Sequence, residues 1–338
     1  MSVAQPQQPT GPALSGTVGA GIDVVPRRSS RASRIADVAF HGLVWVCAAC
    51  VVAVVGFILL QLVKGSDLAL AKFGWKFFTG SDWDPVNGSF GAVPFIYGTI
   101  VSSLLALAIA IPLSLGVAIF ITEMCPKALR GILSYLTELL AAIPSVIYGL
   151  WAIFVLVPLI VRYLGPLLQK TLGWTGLFAG PVQGFGMLTA GIVLAIMIIP
   201  IISSISREIL TAVPHQQREA ALALGATRWE MIRVGVLRNA RAGIFGAIIL
   251  GLGRALGETM AVTMVIGNSP QIVKSLFAPA YTMASVIANE FSEATDDLYT
   301  SALIEIGLAL FIVTIIVNIL AQLLIWTVTR GTPRRASA

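Results

Sequence analysis

The sequence predicts an all-α membrane protein with about six transmembrane helices, and three observations carry that prediction. Hydrophobic residues make up 57% of the 338 residues and charged residues only 11%, against about 25% charge in soluble domains. Several continuous apolar runs reach the roughly 20 residues that a helix needs to cross the hydrocarbon core. Those runs do not alternate with a period of two, which excludes the outward-facing strands of a membrane barrel.

Six runs satisfy the length requirement: 40–63, 96–121, 132–161, 187–209, 242–267 and 303–327. The third is long and contains Pro144 and Pro158. It is expected either to kink at a proline or to divide into a span and an interfacial piece, and a count of seven is the alternative. A transmembrane domain is thus expected over 39–330. The stretch 1–38 is expected to be a disordered tail, because its first thirty residues are rich in Pro, Gly, Gln, Ser and Thr and lack an early apolar core. Residues 331–338 would form a second, short tail.

Basic residues set the orientation. With the N-terminus inside, the inner segments hold fifteen of the 22 Lys and Arg: Arg27, Arg28, Arg31, Arg34, Lys127, Arg130, six Arg between 207 and 241, Arg330, Arg334 and Arg335. The outer segments hold six: Lys64, Lys72, Lys76, Arg162, Lys170 and Lys274. This bias places both termini in the cytoplasm under the positive-inside rule. The net charge of +6 therefore reflects membrane topology and gives no ground for nucleic-acid binding.

The loop over about 207–241 is polar and Arg-rich between two apolar runs, and it contains Glu219-Ala220-Ala221 followed by Gly225. Pro214 suits a first helical position, the Glu-Ala-Ala run favours helix, and Gly225 permits a left-handed break. Thr227 to Glu230 has the form of a capping box, so a second helix is expected from Thr227. The pattern resembles the cytoplasmic coupling motif of bacterial ABC importer permeases, whose short helix docks on an ATP-hydrolysing subunit. Where that motif closes on I-x-L-P, this chain has Gly235-Val236-Leu237-Arg238, so only the leucine agrees. From the residues alone, an ordinary basic cytoplasmic loop remains the other reading.

A second polar signal lies within the fifth run, where Arg254 and Glu258 stand four residues apart. Ionisable residues at membrane depth are costly and mark functional positions. An i, i+4 spacing on a continuous helix would bring the two together, either as a structural pair or as part of a substrate pathway with Arg254 attracting an anion. Gly253 and Gly257 add a small-x-x-x-small face suited to close helix packing. Glu138 reads as a boundary residue or as a member of a polar pathway, and Glu305 as a boundary residue facing water. Pro144 and Pro200 are candidate kink or gating positions, since each would free a backbone carbonyl inside a helix.

Other signals are blander. The aromatics of the outer segment 64–95 read as an interfacial belt, although a partner could rest there. Cys47 and Cys50 form C-x-x-C without a neighbouring His or acid, which points to packing and not to metal. Only His41 and His215 are present, so neither a metal centre nor a His-dependent triad is expected. No Lys-Ser/Thr follows the glycines of the fifth run, and a P-loop is absent.

Taken together, Ala142 to Trp151, Glu219-Ala220-Ala221 with Gly225, and above all Gly251 to Val262 followed by Ile266-Gly267-Asn268 resemble the PstC-type permease subunit of bacterial phosphate-specific ABC importers. The resemblance implies a type I ABC importer permease fold in the bacterial inner membrane. It implies a homologous PstA-type permease subunit, a PstB-type ATPase dimer that binds ATP and Mg, and an external PstS-type phosphate-binding protein, with no cofactor and no catalysis in this chain. Arg254, Glu258 and Glu138 would line the substrate pathway, while Glu219, Ala220, Ala221 and Gly225 would contact the ATPase. A permease for another oxyanion, such as sulfate or molybdate, and an ion-gradient-driven secondary transporter are the alternatives.

Overall fold

A computed structural model describes residues 31–329. Fourteen helices follow in chain order: α1 (Arg31–Gly65), α2 (Asp67–Phe73), α3 (Val93–Ile119), α4 (Lys127–Ala141), α5 (Ser145–Trp151), α6 (Val157–Leu159), α7 (Gly165–Leu172), α8 (Met187–Thr211), α9 (His215–Ala223), α10 (Arg228–Glu230), α11 (Arg238–Leu256), α12 (Met260–Val265), α13 (Met283–Glu290) and α14 (Asp297–Thr329). Among the described residues, six helical stretches are long and apolar enough to cross a membrane: Asp37–Gly65, Val93–Met124, Ser145–Thr175, Met187–Thr211, Arg228–Leu256 and Asp297–Thr327. Of the tail expected over 1–38, residues 1–30 lie outside the described residues and 31–38 open α1; 331–338 also lie outside them.

Two of the expected runs are divided differently. The run 132–161 is not one kinked span, because α4 ends at Ala141 and Pro144 stands immediately before α5 with an extended backbone (ψ 140°). Proline disfavours the helical region for the residue before it, so the helix stops and restarts. Pro144 thus terminates and does not kink. Pro158, by contrast, continues inside the third span between π-helical turns at Ala152–Leu156 and Ile160–Leu164. The run 242–267 is also broken: the fifth span begins at Arg228, ends at Leu256, and α12 follows as a separate helix after Gly257.

The compact unit begins at Ile58 and is built around α3 and α8. Gly191 on α8 admits the Leu105 side chain so closely that a Cβ there would collide with it, and Ser114 Oγ of α3 donates to the Ile199 carbonyl at 3.3 Å. Ile199 precedes Pro200, which lies inside α8. Buried Ala106, Ala110, Val193, Leu194, Ile198 and Ile202 fill this contact, joined by Val262, Val265 and Ile266 from α12 and the segment after it. The first turn of α8 finds its acceptors in irregular backbone: Gly186, Met187 and Leu188 donate to the carbonyls of Val265, Ala278 and Leu276. Such non-helical chain is tolerated at membrane depth only where protein surrounds it.

A second core lies beneath the outer segment. Strands β1 (Trp83–Asp84) and β2 (Ser89–Phe90) pair antiparallel, and Phe77, Phe90, Phe95 and Tyr281 are buried. Trp83 packs edge-on against Phe95 at 4.7 Å between ring centroids and donates its indole N–H to Glu290 at 2.8 Å. The interfacial-belt reading is therefore corrected for Phe77, a core residue, and for Trp83, which is half-buried against that core, while Trp75 is exposed. Glu305 also departs from expectation. It is fully buried in α14 and neither carboxylate oxygen has a hydrogen-bond partner. Cys47 and Cys50 are exposed on α1, so they do not pack within this chain.

Candidate functional site

The coupling loop folds into two helices around a tight turn. Pro214, with φ −58° and ψ 140°, stands just before α9 and not at its first helical position. At the other end the Gly225 N–H donates to the Leu222 carbonyl and the Ala226 N–H to the Ala221 carbonyl, the paired bonds of a Schellman ending. Gly225 makes that ending possible with φ +85°. Thr227 then caps the next helix reciprocally: its N–H donates to Glu230 Oε2 at 2.8 Å and its Oγ1 accepts from the Glu230 N–H. From Arg228 the chain is helical through the π-turns Met231–Leu237 into α11. Arg238 in place of the proline of the fuller motif leaves that path unbroken, because it keeps the backbone N–H that proline lacks.

What the turn presents is decided by side chains pointing both ways. Glu219, Ala220 and Gly225 are exposed and Ala221 is half-buried. Leu224 and Trp229 stand beside them, 90% and 60% exposed, an apolar complement to the polar helix. On the opposite side Arg218 is half-buried against the bundle. Its Nη2 and Nε reach Glu123 Oε1 at 2.9 and 3.2 Å, and its guanidinium also donates to the carbonyls of Leu210 (2.8 Å) and Val213 (2.5 Å). Asn239 Nδ2 bonds both the Gln217 side chain and the Gly235 carbonyl, tying α9 to the fifth span.

Sequence reasoning missed Glu123 and Arg218. An acid near the end of an apolar run and an Arg directly before Glu-Ala-Ala were the available signals, but nothing local links residues 95 positions apart.

Arg254 and Glu258 do not pair. The helix stops at Leu256, so the four-residue spacing no longer stacks the two side chains, and each serves its own helix end. Arg254 lies in the last turn of α11, where a cation complements the C-terminal dipole. Glu258 precedes α12 and accepts from the Ala261 N–H at 3.4 Å. Arg254 is exposed on this chain and Glu258 half-buried. The break lets α12 approach α5 where Gly149 has no side chain: a Cβ there would meet Met264 Sδ at 2.6 Å and Ala261 Cα at 3.3 Å.

The glycine face is likewise split. Gly243 and Gly251 hold Ile209 and Ile202 of α8 closely, whereas among the described residues nothing lies within 4 Å of where a Gly253 Cβ would stand. Glu138 is exposed and bonds Arg207 at 2.7 Å, joining α4 to the cytoplasmic end of α8 and standing apart from Arg254 in its contacts.

A family model described as "Binding-protein-dependent transport system inner membrane component" matches residues 110–329. The phosphate transport system permease protein PstC of Mesorhizobium japonicum is 45% identical over 314 residues, covering 90% of this chain and 96% of that protein. Its counterpart from Haemophilus influenzae is 49% identical over 272 residues, covering 79% and 86%. The chain belongs to the PstC family of inner-membrane transport permeases.

The permease shares its fold with solved ABC importers. A bacterial ABC transporter involved in the import of the acidic polysaccharide alginate aligns with a TM-score of 0.55 over 85% of this chain and 96% of that one, at 18% identity. The MetNI methionine ABC transporter in an inward-facing conformation aligns with a TM-score of 0.52 over 70% and 96%, at 16% identity. The permease is thus a multi-pass plasma-membrane protein with a type I ABC importer permease fold.

Proposed function

We propose that this permease carries inorganic phosphate into the cell as half of an ATP-driven importer. The observation that carries the reading is the solvent-exposed Glu219-Ala220 surface with Leu224 and Trp229 beside it. It is a preshaped contact on the side where the charge count places the cytoplasm. A separate PstB-type ATPase dimer, which binds the ATP and Mg, would grip that surface, and this chain would hold no cofactor of its own. A PstA-type permease subunit would complete the membrane pathway and a PstS-type protein would deliver phosphate from outside.

Within this chain Arg254 is the anion-attracting group. Its guanidinium projects from the bundle at the end of a span, so a second subunit packed there would enclose it, and a desolvated cation attracts an anion far more strongly than one in water. Glu258 sits across the helix break, where its bond to the Ala261 N–H fixes it to α12 and not to Arg254. Glu138, bonded to Arg207, contributes to the cytoplasmic mouth of the pathway.

Labelled phosphate uptake in cells lacking this chain, and in cells with it restored, tests the reading. Restored uptake that requires ATP and is competed by phosphate but not by sulfate or molybdate is the expected result. Competition by either of those anions would change the cargo, and uptake indifferent to ATP depletion would overturn the coupling.

A further inference from the structure

We propose that Arg218 and Glu123 form the strut through which movement of the coupling helix reaches the membrane spans; this rests on the function proposed above. Helix α9 has nine residues and buries none of them. A helix that short is not stable alone, so its attitude against the bundle must be set from outside. The chain connections cannot set it. Three residues, Ala212 to Pro214, link it to α8, and the Gly225 turn links it onward.

Arg218 supplies what the backbone does not. One guanidinium fork joins α9 to Glu123 in the π-turn Phe120–Met124 that ends the second span, to the Leu210 carbonyl at the end of the fourth and to the Val213 carbonyl in the link between α8 and α9. The two side chains are only 12% and 8% exposed, so water does not compete for the bonds. A buried ion pair adds little net stability over apolar packing, but a planar fork with five directed hydrogen bonds resists rotation where apolar packing would slide. Because α3 and α8 are themselves locked together at Gly191 and Ser114, a tilt of α9 moves both spans as one body. Glu219 and Ala220 on the exposed side of the same helix remain free to be gripped.

The test uses the complete reconstituted transporter, in which phosphate uptake, ATP hydrolysis and the amount of assembled complex are measured together for Glu123→Gln, Arg218→Gln, the double variant and Arg218→Lys. Phosphate moved per ATP hydrolysed is expected to fall by a factor of roughly 2 to 30 in the single glutamine variants. The double variant should do no worse than either single one, since all three cut the same link. Arg218→Lys, which keeps the charge and loses the fork, should fall between them and the unmodified complex. An unchanged ratio in every variant would overturn the proposal. So would lost uptake that simply follows lost complex, because the pair would then only hold the fold. If the unmodified complex moved phosphate without consuming ATP, the function reading itself would fail.

Discussion

Arg254 and Glu258 show how much one helix break changes the meaning of two charges. Their spacing on a continuous helix would make them a pair; with α11 closed at Leu256, Arg254 faces outward and Glu258 bonds the first turn of α12. Residues that do not share an interaction have nearly additive effects, within about 0.5 kcal/mol, whereas a contacting pair departs by up to about 3 kcal/mol. Phosphate uptake by Arg254→Ala, Glu258→Gln and the double variant should accordingly give additive losses, the Arg254 loss being the larger; strong non-additivity would restore the ion-pair reading.

At the outer face, Asp84 accepts the Val86 and Asn87 N–H groups and the Asn87 side chain at 2.6 to 3.2 Å. The Asn87 side-chain bond is the largest of the effects holding its carboxyl below the ordinary 3.8. The folded value is the depressed one, so the turn's contribution is complete above the ordinary value and is lost as pH falls through the folded one. A carbon-13 titration of the Asp84 carboxyl should find its midpoint below 3.8, and Asn87→Ala should move that midpoint upward.

Among the elements, the coupling turn depends most on backbone conformation. Gly225 at φ +85° has open space around it, so Gly225→Ala meets no clash and pays only the left-handed backbone penalty, about 1–2 kcal/mol. The Schellman bonds at Leu222 and Ala221 would weaken, and fraying of α9 should raise amide hydrogen exchange over 220–226 while the α3 and α8 core stays protected. Equal protection in variant and parent would show that the side-chain ties of Arg218 and Gln217 hold the turn without the glycine. The capping box at Thr227 and Glu230 and the left-handed Gly225 were both legible from local sequence, since each is a rule about four or five consecutive residues. The end of α4 was only half legible. Pro144 announced a disruption, but whether proline kinks or stops a helix depends on what receives the freed carbonyls, which neighbouring sequence does not record.

Across the whole molecule, segments assigned to one side of the membrane by their basic residues meet one another. Arg207 bonds Glu138 and Arg218 bonds Glu123 at one end, while Trp83 and Tyr299 share Glu290 in the outer-segment core. Side-specific labelling checks this orientation in a chain whose three cysteines are first replaced. Leu224→Cys, at a position 90% exposed, should react with an impermeant maleimide only from the cytoplasm, and Val86→Cys, at a position 94% exposed, only from outside. Labelling of both from one side would refute the arrangement.

The sequence by itself determined the solvent, the predominantly helical class, the number of about six spans, their expected orientation and much of the local turn chemistry of the coupling loop, because hydrocarbon thickness, charge bias and caps act on composition and short range. Only the tertiary structure decided that Arg254 and Glu258 stand on either side of a helix break, that Glu305 is buried, that Phe77 belongs to a core against which Trp83 packs, and that Arg218 reaches Glu123. Each of those outcomes depends on which distant backbone comes close enough to exclude water and offer an acceptor, a condition set by packing between segments and not by the order of residues within them.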